Sequence, residues 1–404
     1  MGFYVLFIVF FIAGVYCAFQ PKIATFLFII LAIIVPTSSA FTNLTYLHGF
    51  FVVDSFFIPL SIIMFVRVAI LKSIQLTKRE VFLFFMPFFI FLSYFLISAY
   101  KTGFDQQLIK EIRPVLLLIE ILVFLIFIRQ IDLKVNFKTI SKLAILAALS
   151  NCIFYLVLYF GVVVSDDLYY INNTYRYLDL STYFSVYFII HYFISKEYKT
   201  ISKSYYYNIA IILSFISIII ANSRFIILAL FLALILSNIT NYKLLIKRSF
   251  QALLVLFLFI GFSFIIDASR ILDALSSNLI IMQLSNRYLP ALLDISKMTD
   301  LQIIFGYGLG HYFEIPWFGY REAIENENIS IDCAYLTVYV KQGFLGLLSL
   351  IFALHLLVSS SIGKHRLALL IFWGVMFVVS SSFYQIYPFG AVVYIAFLNS
   401  NEIK

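Results

Sequence analysis

The chain has 404 residues, of which 63% are hydrophobic and only 12% are charged. The charged fraction is about half that of a soluble domain, which excludes a water-soluble globular protein. A formal net charge of +8 does not require a nucleic-acid partner, because the cytoplasmic loops of membrane proteins collect Lys and Arg. The composition therefore predicts a polytopic membrane protein that binds no nucleic acid.

The cysteines give no indication of a metal or redox site. Cys17 and Cys152 lie in apolar runs, Cys333 lies at a boundary between a loop and an apolar run, and no CxxC or Cys/His cluster occurs. Such a pattern is not typical of a zinc site or a disulfide framework. We expect no metal and no cofactor.

Apolar runs close to the length of a membrane span occur along the whole chain. A spanning helix needs roughly 20 apolar residues. The predicted spans are 2–19, 23–41, 50–71, 81–100, 112–128, 139–160, 181–194, 205–221, 223–240, 249–267, 333–358, 366–382 and 384–398. The first run lacks the basic n-region and cleavage site of a signal peptide, so we expect it to be retained. Because 181–194 and 384–398 are short, we predict an all-α bundle of about 12 to 14 transmembrane helices.

The distribution of Lys and Arg predicts the orientation of this bundle. With these spans, 17 basic residues lie on one side and nine on the other, and six of those nine are Arg. The first side is predicted to be cytoplasmic, with the N-terminus outside. The chain then divides into a bundle over 1–267, a large outward-facing loop over 268–332, and C-terminal spans over 333–404. The guanidinium of Arg binds phosphate through two parallel hydrogen bonds. The enrichment of Arg on the outer side therefore suggests an anionic ligand on that side.

Three outward-facing arginines are candidate ligand contacts. Arg224 lies at the junction of two apolar runs, where it either snorkels from a tight hairpin or lines a cavity. Arg176 ends a loop rich in Asn, Asp and Tyr, a composition that suits a sugar but also an ordinary solvated loop. Arg287 is predicted to open an amphipathic helix, with Pro290 in its first turn, lying along the membrane face. It contacts either an anion or solvent.

The large loop contains a glycine-spaced turn, Gly306-x-Gly308-x-Gly310, followed by His311. No strand–helix context surrounds it, so it is not a nucleotide-binding motif. The pattern indicates a turn in which backbone packs closely, although exposed amides there could also bind phosphate. The acidic residues that follow, from Glu314 to Glu327, do not have the regular ligand spacing of a hard-cation site, so they indicate a solvated loop.

Asp332 is the last carboxylate before the chain enters the next predicted span. Partial burial would favour its action as a general base, or it would orient an acceptor hydroxyl. The plainer interpretation is that Asp332 caps the helix that follows, and both roles can hold together. Lys341 and Glu120, inside predicted spans, are expected to be paired or snorkelling charges.

The order of these motifs resembles that of Wzy-type O-antigen polymerases and the related O-antigen ligases. The residues that carry the resemblance are Ser223-Arg224, Asn286-Arg287-Tyr288, Phe305-Gly306-Tyr307-Gly308-Leu309-Gly310, Asp332-Cys333-Ala334-Tyr335-Leu336 and Gln342-Gly343-Phe344-Leu345-Gly346. Ligases of this type carry His-Asn where this chain has Asp332-Cys333, which favours the polymerase.

The resemblance implies a GT-C-like glycosyltransferase of the bacterial inner membrane that acts at the periplasmic face. Its donor would be an undecaprenyl-diphosphate-linked glycan, transferred to a new lipid-linked repeat unit. Membrane lipid, a chain-length regulator protein and other O-antigen assembly proteins are implied partners. Within this interpretation Asp332, Arg287 and Arg224 are the catalytic residues. The substrate contacts are Arg176, Tyr335, His311, Gly306, Gly308 and Gly310.

Three other functions remain open from the sequence. An O-antigen ligase would transfer the glycan to lipid A core. A flippase or transporter for lipid-linked oligosaccharide would place its functional charges near the membrane midplane, on repeated broken helices. A structural assembly partner would need no chemistry.

Overall fold

The fold was analysed in a computed structural model of the chain. The described residues are 2–20, 46–47, 50–71, 76–104, 106–130, 137–163, 170–171, 174–175, 177–197, 205–239, 242–247, 249–250, 277–315, 327–359, 361 and 363–384, with single positions at 23, 27, 30, 34–36, 41, 253, 257 and 261. All structural statements below concern these residues.

The described chain is mostly helical. The helices are α1 (Gly2–Phe19), α2 (Val52–Leu71), α3 (Lys78–Thr102), α4 (Gln106–Glu111), α5 (Arg113–Gln130), α6 (Phe137–Tyr159), α7 (Leu180–Glu197), α8 (Tyr205–Ile220), α9 (Arg224–Leu236), α10 (Ser277–Ser296), α11 (Asp300–Phe305), α12 (Ala334–Leu357) and α13 (Gly363–Val379), with a 3-10 turn at Ser382–Tyr384. Ten of the thirteen predicted spans coincide with helices in this set. The other three, 23–41, 249–267 and 384–398, lie mostly outside the described residues.

Three of these helices, α3, α6 and α12, are long and apolar enough to cross a membrane. The apolar parts of α1, α7, α8 and α9 are shorter, although their composition is similar. The outer surfaces of α1 and α3 also expose large apolar side chains such as Ile12, Phe82 and Phe89. Exposing such an apolar surface to water costs free energy, whereas the lipid chains of a bilayer would solvate it.

The prediction of an all-α chain needs a small correction. Three two-residue antiparallel strand pairs lie in the connections: β1 with β2 (Tyr46–Leu47 and Phe50–Phe51), β3 with β4 (Tyr170–Ile171 and Thr174–Tyr175), and β5 with β6 (Phe313–Glu314 and Glu327–Asn328). Such short pairs give no hydrophobic periodicity, which is why the sequence did not predict them.

Aromatic side chains fill the bundle where α7 meets α13. The Tyr183 ring stacks on Trp373 with centroids 5.4 Å apart, and both side chains are fully buried. Nearby, the Asn151 amide donates to Thr182 and Ser217, which ties α6 to α7 and α8 through buried polar groups. Interhelical hydrogen bonds of this kind hold helices together when apolar side chains alone do not.

The two ends of the bundle differ in character. At one end α3 finishes, α9 and α12 begin, and α10 and α11 pack across; we call this the loop end. The opposite end carries cations: Lys364 donates to Asn238 at 2.8 Å, and Arg79 lies close enough to Arg366 to affect its charge. The sequence predicted that these basic residues lie on one side of the membrane, and the helix ends that carry them lie close together. We call this second end the basic end.

Candidate functional site

Helix α10 carries the central residue of the candidate site. It begins at Ser277, ten residues before Arg287, and Pro290 lies inside it. The prediction that Arg287 opens the helix with Pro290 in its first turn is therefore wrong. Pro290 removes one backbone hydrogen bond, but the helix continues because its inward face is anchored by packing.

The faces of α10 have opposite environments. Ala291 is buried in a small core with Phe313 and Ile331, and Tyr288 packs on the edge of this core. Leu289, Leu292 and Leu293 point outward and are about half exposed. An exposed leucine stripe at the end of an apolar bundle is typical of a helix lying in a membrane interface.

Arg287 links α10 to two other parts of the chain. Its Nε lies 3.4 Å from an Asp332 carboxylate oxygen, and its guanidinium carbon lies 4.7 Å above the Phe225 ring. The Arg287 side chain is 20% exposed, and its Nη1 is buried with no hydrogen-bond partner among the described residues. Leaving a buried guanidinium nitrogen unpaired costs free energy unless an acceptor reaches it, so this nitrogen is a candidate donor to a ligand.

Both contacts of Arg287 lie at helix N-termini. Phe225 is in the first turn of α9, and Asp332 directly precedes the cap of α12. The interpretation of Asp332 as the helix cap is wrong, because Cys333 occupies that position and makes no side-chain capping bond. Helix N-termini attract negative charge through their free amides and dipole. The surroundings of Arg287 therefore favour an anion.

Arg224 stands beside this position as the first residue of α9, and it is partly buried. A three-residue turn joins it to α8, and within that turn Asn222 has a φ of 46°. Asn adopts this left-handed conformation more readily than most residues. The predicted tight connection is thus present, and Arg224 directly precedes Phe225, whose ring contacts Arg287.

The glycine turn interlocks with a break in α12. Gly343 has φ 61° inside α12, and a Cβ on Gly306 would lie 2.3 Å from the Lys341 carbonyl carbon. In return, a Cβ on Gly343 would lie 2.3 Å from the carbonyl carbon of Ile304 at the end of α11. Each glycine allows one backbone to touch the other, as the interpretation of close packing predicted.

The amides of the turn are already used within the protein. The Gly306 amide donates to Gln302 O at 2.7 Å, the Gly308 amide to Lys341 O at 2.8 Å, and the Gly310 amide to the Glu111 carboxylate at 3.1 Å. Of the three glycines, only Gly306 packs against the α12 backbone, since a Cβ on Gly308 or Gly310 would meet nothing within 4 Å. The assignment of Gly306, Gly308 and Gly310 to substrate binding stays a prediction.

His311 follows the turn and pairs with a carboxylate on α10. Its Nε2 lies 2.9 Å from an Asp294 carboxylate oxygen, and the Tyr307 ring stacks on the imidazole with centroids 4.8 Å apart. Tyr307 also donates its hydroxyl proton to the Asp294 backbone carbonyl at 3.0 Å. His311 is predicted as a substrate contact, and its pairing with Asp294 has no signal in the sequence.

A buried ion pair lies directly beneath the glycine turn. Lys341 Nζ is 2.5 Å from the Glu111 carboxylate, and both side chains are at most 1% exposed. The interpretation of Lys341 as a paired charge is confirmed. Its partner was missed, since Glu111 looked like a loop residue and lies 230 positions away.

A second buried pair adjoins the first. Arg113 donates to Asp54 at 2.6 Å, and Glu120 is buried close enough to interact electrostatically with both. Ionisable groups in such surroundings are rare and mark functional or specificity-determining positions. Sequence reasoning recognised only Glu120 in this group.

The remaining candidates have plainer environments. Tyr335 packs edge-on against Phe377, with centroids 6.0 Å apart. It therefore lies between the helical bundle and the small core around Ala291. Burial raises the pKa of the Cys333 thiol, so a thiolate nucleophile is not available there at neutral pH. Arg176 lies outside the described residues.

No metal centre is formed by the residues that the structure describes, since they contain no group of three His, Cys, Asp or Glu side chains able to hold an ion. In the acidic loop, Glu314 and Glu327 lie opposite each other in the β5–β6 pair. The other two acidic residues of that loop, Glu322 and Glu325, fall in the part left undescribed.

Comparison with known proteins adds one match. No curated protein matches the chain. A family model covers residues 124–403, more than half of the chain, and includes Arg224, Arg287, Asp294, His311 and Asp332. On that coverage, the chain belongs to the DUF6369 family, which is described as a family of unknown function.

Proposed function

We propose that this protein is a polysaccharide polymerase of the Wzy type, a multi-pass glycosyltransferase of the bacterial inner membrane. It has about 12 to 14 spans in a GT-C-like arrangement, and its loop end faces the periplasm. The donor is an undecaprenyl-diphosphate-linked glycan, and the acceptor is a new lipid-linked repeat unit.

The observation that carries this proposal is the environment of Arg287. Its buried Nη1 has no partner among the described residues, and the N-termini of α9 and α12 lie beside it. Breaking the bond between an anomeric carbon and a diphosphate puts negative charge on the departing oxygen. A preorganised guanidinium, with the dipoles of two helix N-termini beside it, stabilises that charge without a metal ion.

Two further residues assist Arg287 in this scheme. Arg224 stands one residue from the Phe225 ring and supplies a second cation for the diphosphate. Asp332, whose side chain is 42% exposed, holds Arg287 at 3.4 Å and orients it toward the ligand. Arg176, which the sequence places in an earlier outer loop, would contact the glycan.

The surface of the loop end also suits a lipid-linked substrate. Besides the leucine stripe of α10, helix α11 exposes Leu301, Ile304 and Phe305. These apolar side chains would rest among lipid chains at the membrane surface. A polyprenyl carrier in the bilayer would thus reach Arg287 with only its diphosphate and sugars leaving the lipid.

One observation favours a second candidate, a flippase for lipid-linked oligosaccharide. Around the Glu111–Lys341 pair, Glu111 Oε2, Gln342 Oε1 and the Tyr384 hydroxyl are buried without hydrogen-bond partners among the described residues. Transporters place charges of this kind within the bundle. The polymerase remains preferred because the backbone of the glycine turn packs directly on this region and closes it from the loop end.

Deletion of the gene in the bacterium that encodes this chain separates the candidates by glycan profile. The polymerase predicts single repeat units on lipid A core and no longer chains. Loss of a ligase instead leaves polymer on the lipid carrier, and loss of a flippase leaves no repeat units outside the inner membrane. Either of the latter two profiles would overturn the proposal.

A further inference from the structure

The pairing of His311 with Asp294 joins the glycine turn to α10 at the edge of the buried residues. His311 is 24% exposed at its side chain, and so is Asp294. Neither lies in the buried core, so the pair does not compensate for buried charge. Its position is instead maintained by the stacked Tyr307 ring and by the Phe313 ring, which meets the imidazole edge-on at 5.4 Å.

The hydrogen bond fixes the tautomer of the imidazole. A carboxylate can only accept, so in the neutral imidazole the proton lies on Nε2, and Nδ1 keeps its lone pair. Nδ1 has no hydrogen-bond partner among the described residues, and the ring is partly open to solvent. A positioned, partly exposed imidazole whose other nitrogen donates to a carboxylate is the arrangement of a general base.

The pair also has a fixed relation to Arg287. Asp294 follows Arg287 by seven residues on α10, which is nearly two full turns, so both side chains leave the same face about 10 Å apart along the axis. With a phosphate beside Arg287 and a sugar hydroxyl beside His311, the two groups would be held at neighbouring points along one helix. Asp332, by contrast, would lose its attraction to Arg287 if it accepted a proton.

We propose that His311 and Asp294 form the proton-accepting pair of this site, acting on a hydroxyl group of the acceptor sugar. This inference rests on the proposed polymerase function. The acceptor oxygen attacks the anomeric carbon and forms the new glycosidic bond. The bond from that carbon to the diphosphate oxygen breaks, and its electron pair leaves with the diphosphate. The hydroxyl proton moves to His311 Nδ1, and Asp294 stabilises the imidazolium that results.

The test uses purified full-length protein in proteoliposomes with a lipid-linked repeat unit, and it measures single-turnover transfer. His311→Ala should lose about 10²–10⁴-fold in rate, and added imidazole should restore part of that loss. His311→Gln keeps a donor for Asp294 but has no basic nitrogen, so it should be as slow as the Ala variant. Asp294→Asn should lose less.

Binding and matched variants exclude a folding defect. Binding of the lipid-linked donor should remain normal in both His311 variants, and His355→Ala, near the far end of α12, should transfer at the wild-type rate. His311→Gln with wild-type transfer overturns this inference while leaving the polymerase proposal intact. A His311→Ala variant that imidazole does not rescue also overturns it. Absence of transfer by the wild-type protein overturns both.

Discussion

At the residue scale, the account depends most on the chemistry of Arg287. The guanidinium offers a planar fork that a lysine ammonium cannot reproduce. Its guanidinium lies over the Phe225 ring and keeps Nη1 buried, and both features belong to the planar group rather than to its charge alone. The sequence identified Arg287 as a candidate. Its contacts, however, are with Phe225, 62 positions earlier in the chain, and with Asp332, 45 positions later. No local pattern encodes such contacts.

Arg287→Lys should reduce polymerisation about 10²-fold or more, because one preorganised donor to the departing diphosphate is lost. The protein should still insert and accumulate normally. Chain-length profiles and the amount of protein in the membrane measure the two effects. Arg79→Lys, at an exposed position of the basic end, is the matched control and should leave both the chain-length profile and the amount of protein unchanged. Normal polymerisation by Arg287→Lys would remove the diphosphate contact from the account.

Asp332→Asn tests whether this carboxylate is a base or a positioning group. A partly exposed ion pair contributes about 0–1 kcal/mol, so loss of its orientation of Arg287 should slow transfer about fivefold or less. Loss of a general base would instead cost about 10²–10⁴-fold. Single-turnover transfer distinguishes the two, and a loss in the larger range would return Asp332 to the role of base.

At the scale of elements, the glycine turn and the broken helix α12 form one unit. The sequence predicted a turn that packs closely, since its glycines recur with no nucleotide-binding context. It did not predict the partner, because Gly343 belongs to an apolar run that reads as continuous helix. The break appears only when α11 and the turn are packed against it.

Gly306→Ala should destabilise the protein more than Gly308→Ala. Both residues have positive φ, but a Cβ at Gly306 meets the α12 backbone while one at Gly308 meets nothing within 4 Å. Overpacking costs about 1–3 kcal/mol beyond the shared backbone strain. Thermal unfolding in detergent should show a lower midpoint for Gly306→Ala, and equal midpoints would contradict the interlocked packing.

The Glu111–Lys341 pair supports the same unit, because the Glu111 carboxylate also accepts from the Gly310 amide. Replacing Lys341 with Met leaves Glu111 buried and uncompensated, at a cost of about 3–5 kcal/mol. Adding Glu111→Gln should recover much of that loss, because the buried charge is then gone. Unfolding midpoints of the single and double variants measure this coupling. A double variant less stable than Lys341→Met would show that the pair is not the source of stability.

At the scale of the whole molecule, hydropathy predicted where most helices lie, and charge predicted which basic residues share an end of the bundle. Most predicted spans coincide with helices, since the length of an apolar run is a property of the chain itself. The basic residues that were predicted to share a side meet at one end of the bundle, as Arg79 and Arg366 do. The sequence could not reveal how the helices neighbour one another, and this arrangement is what brings Asp54, Arg113 and Glu120 together.

The orientation can be tested by labelling single cysteines in a variant whose Cys17, Cys152 and Cys333 are replaced. Lys101 lies exposed at the loop end of α3, and Lys78 lies exposed at its other end. A cysteine at Lys101 should react with an impermeant thiol reagent in intact spheroplasts, because the positive-inside rule places it outside. A cysteine at Lys78 should react only after permeabilisation. The opposite pattern would place the candidate site in the cytoplasm.

The central claim is that this protein joins lipid-linked repeat units into a polymer at Arg287. Its most direct test is to reconstitute the purified chain in proteoliposomes with a single lipid-linked repeat unit and no other protein. The account predicts a ladder of lipid-linked glycans, release of one undecaprenyl diphosphate for each unit joined, and loss of the ladder with Arg287→Lys. A substrate that stays a single unit, or one that only moves across the bilayer, would contradict it.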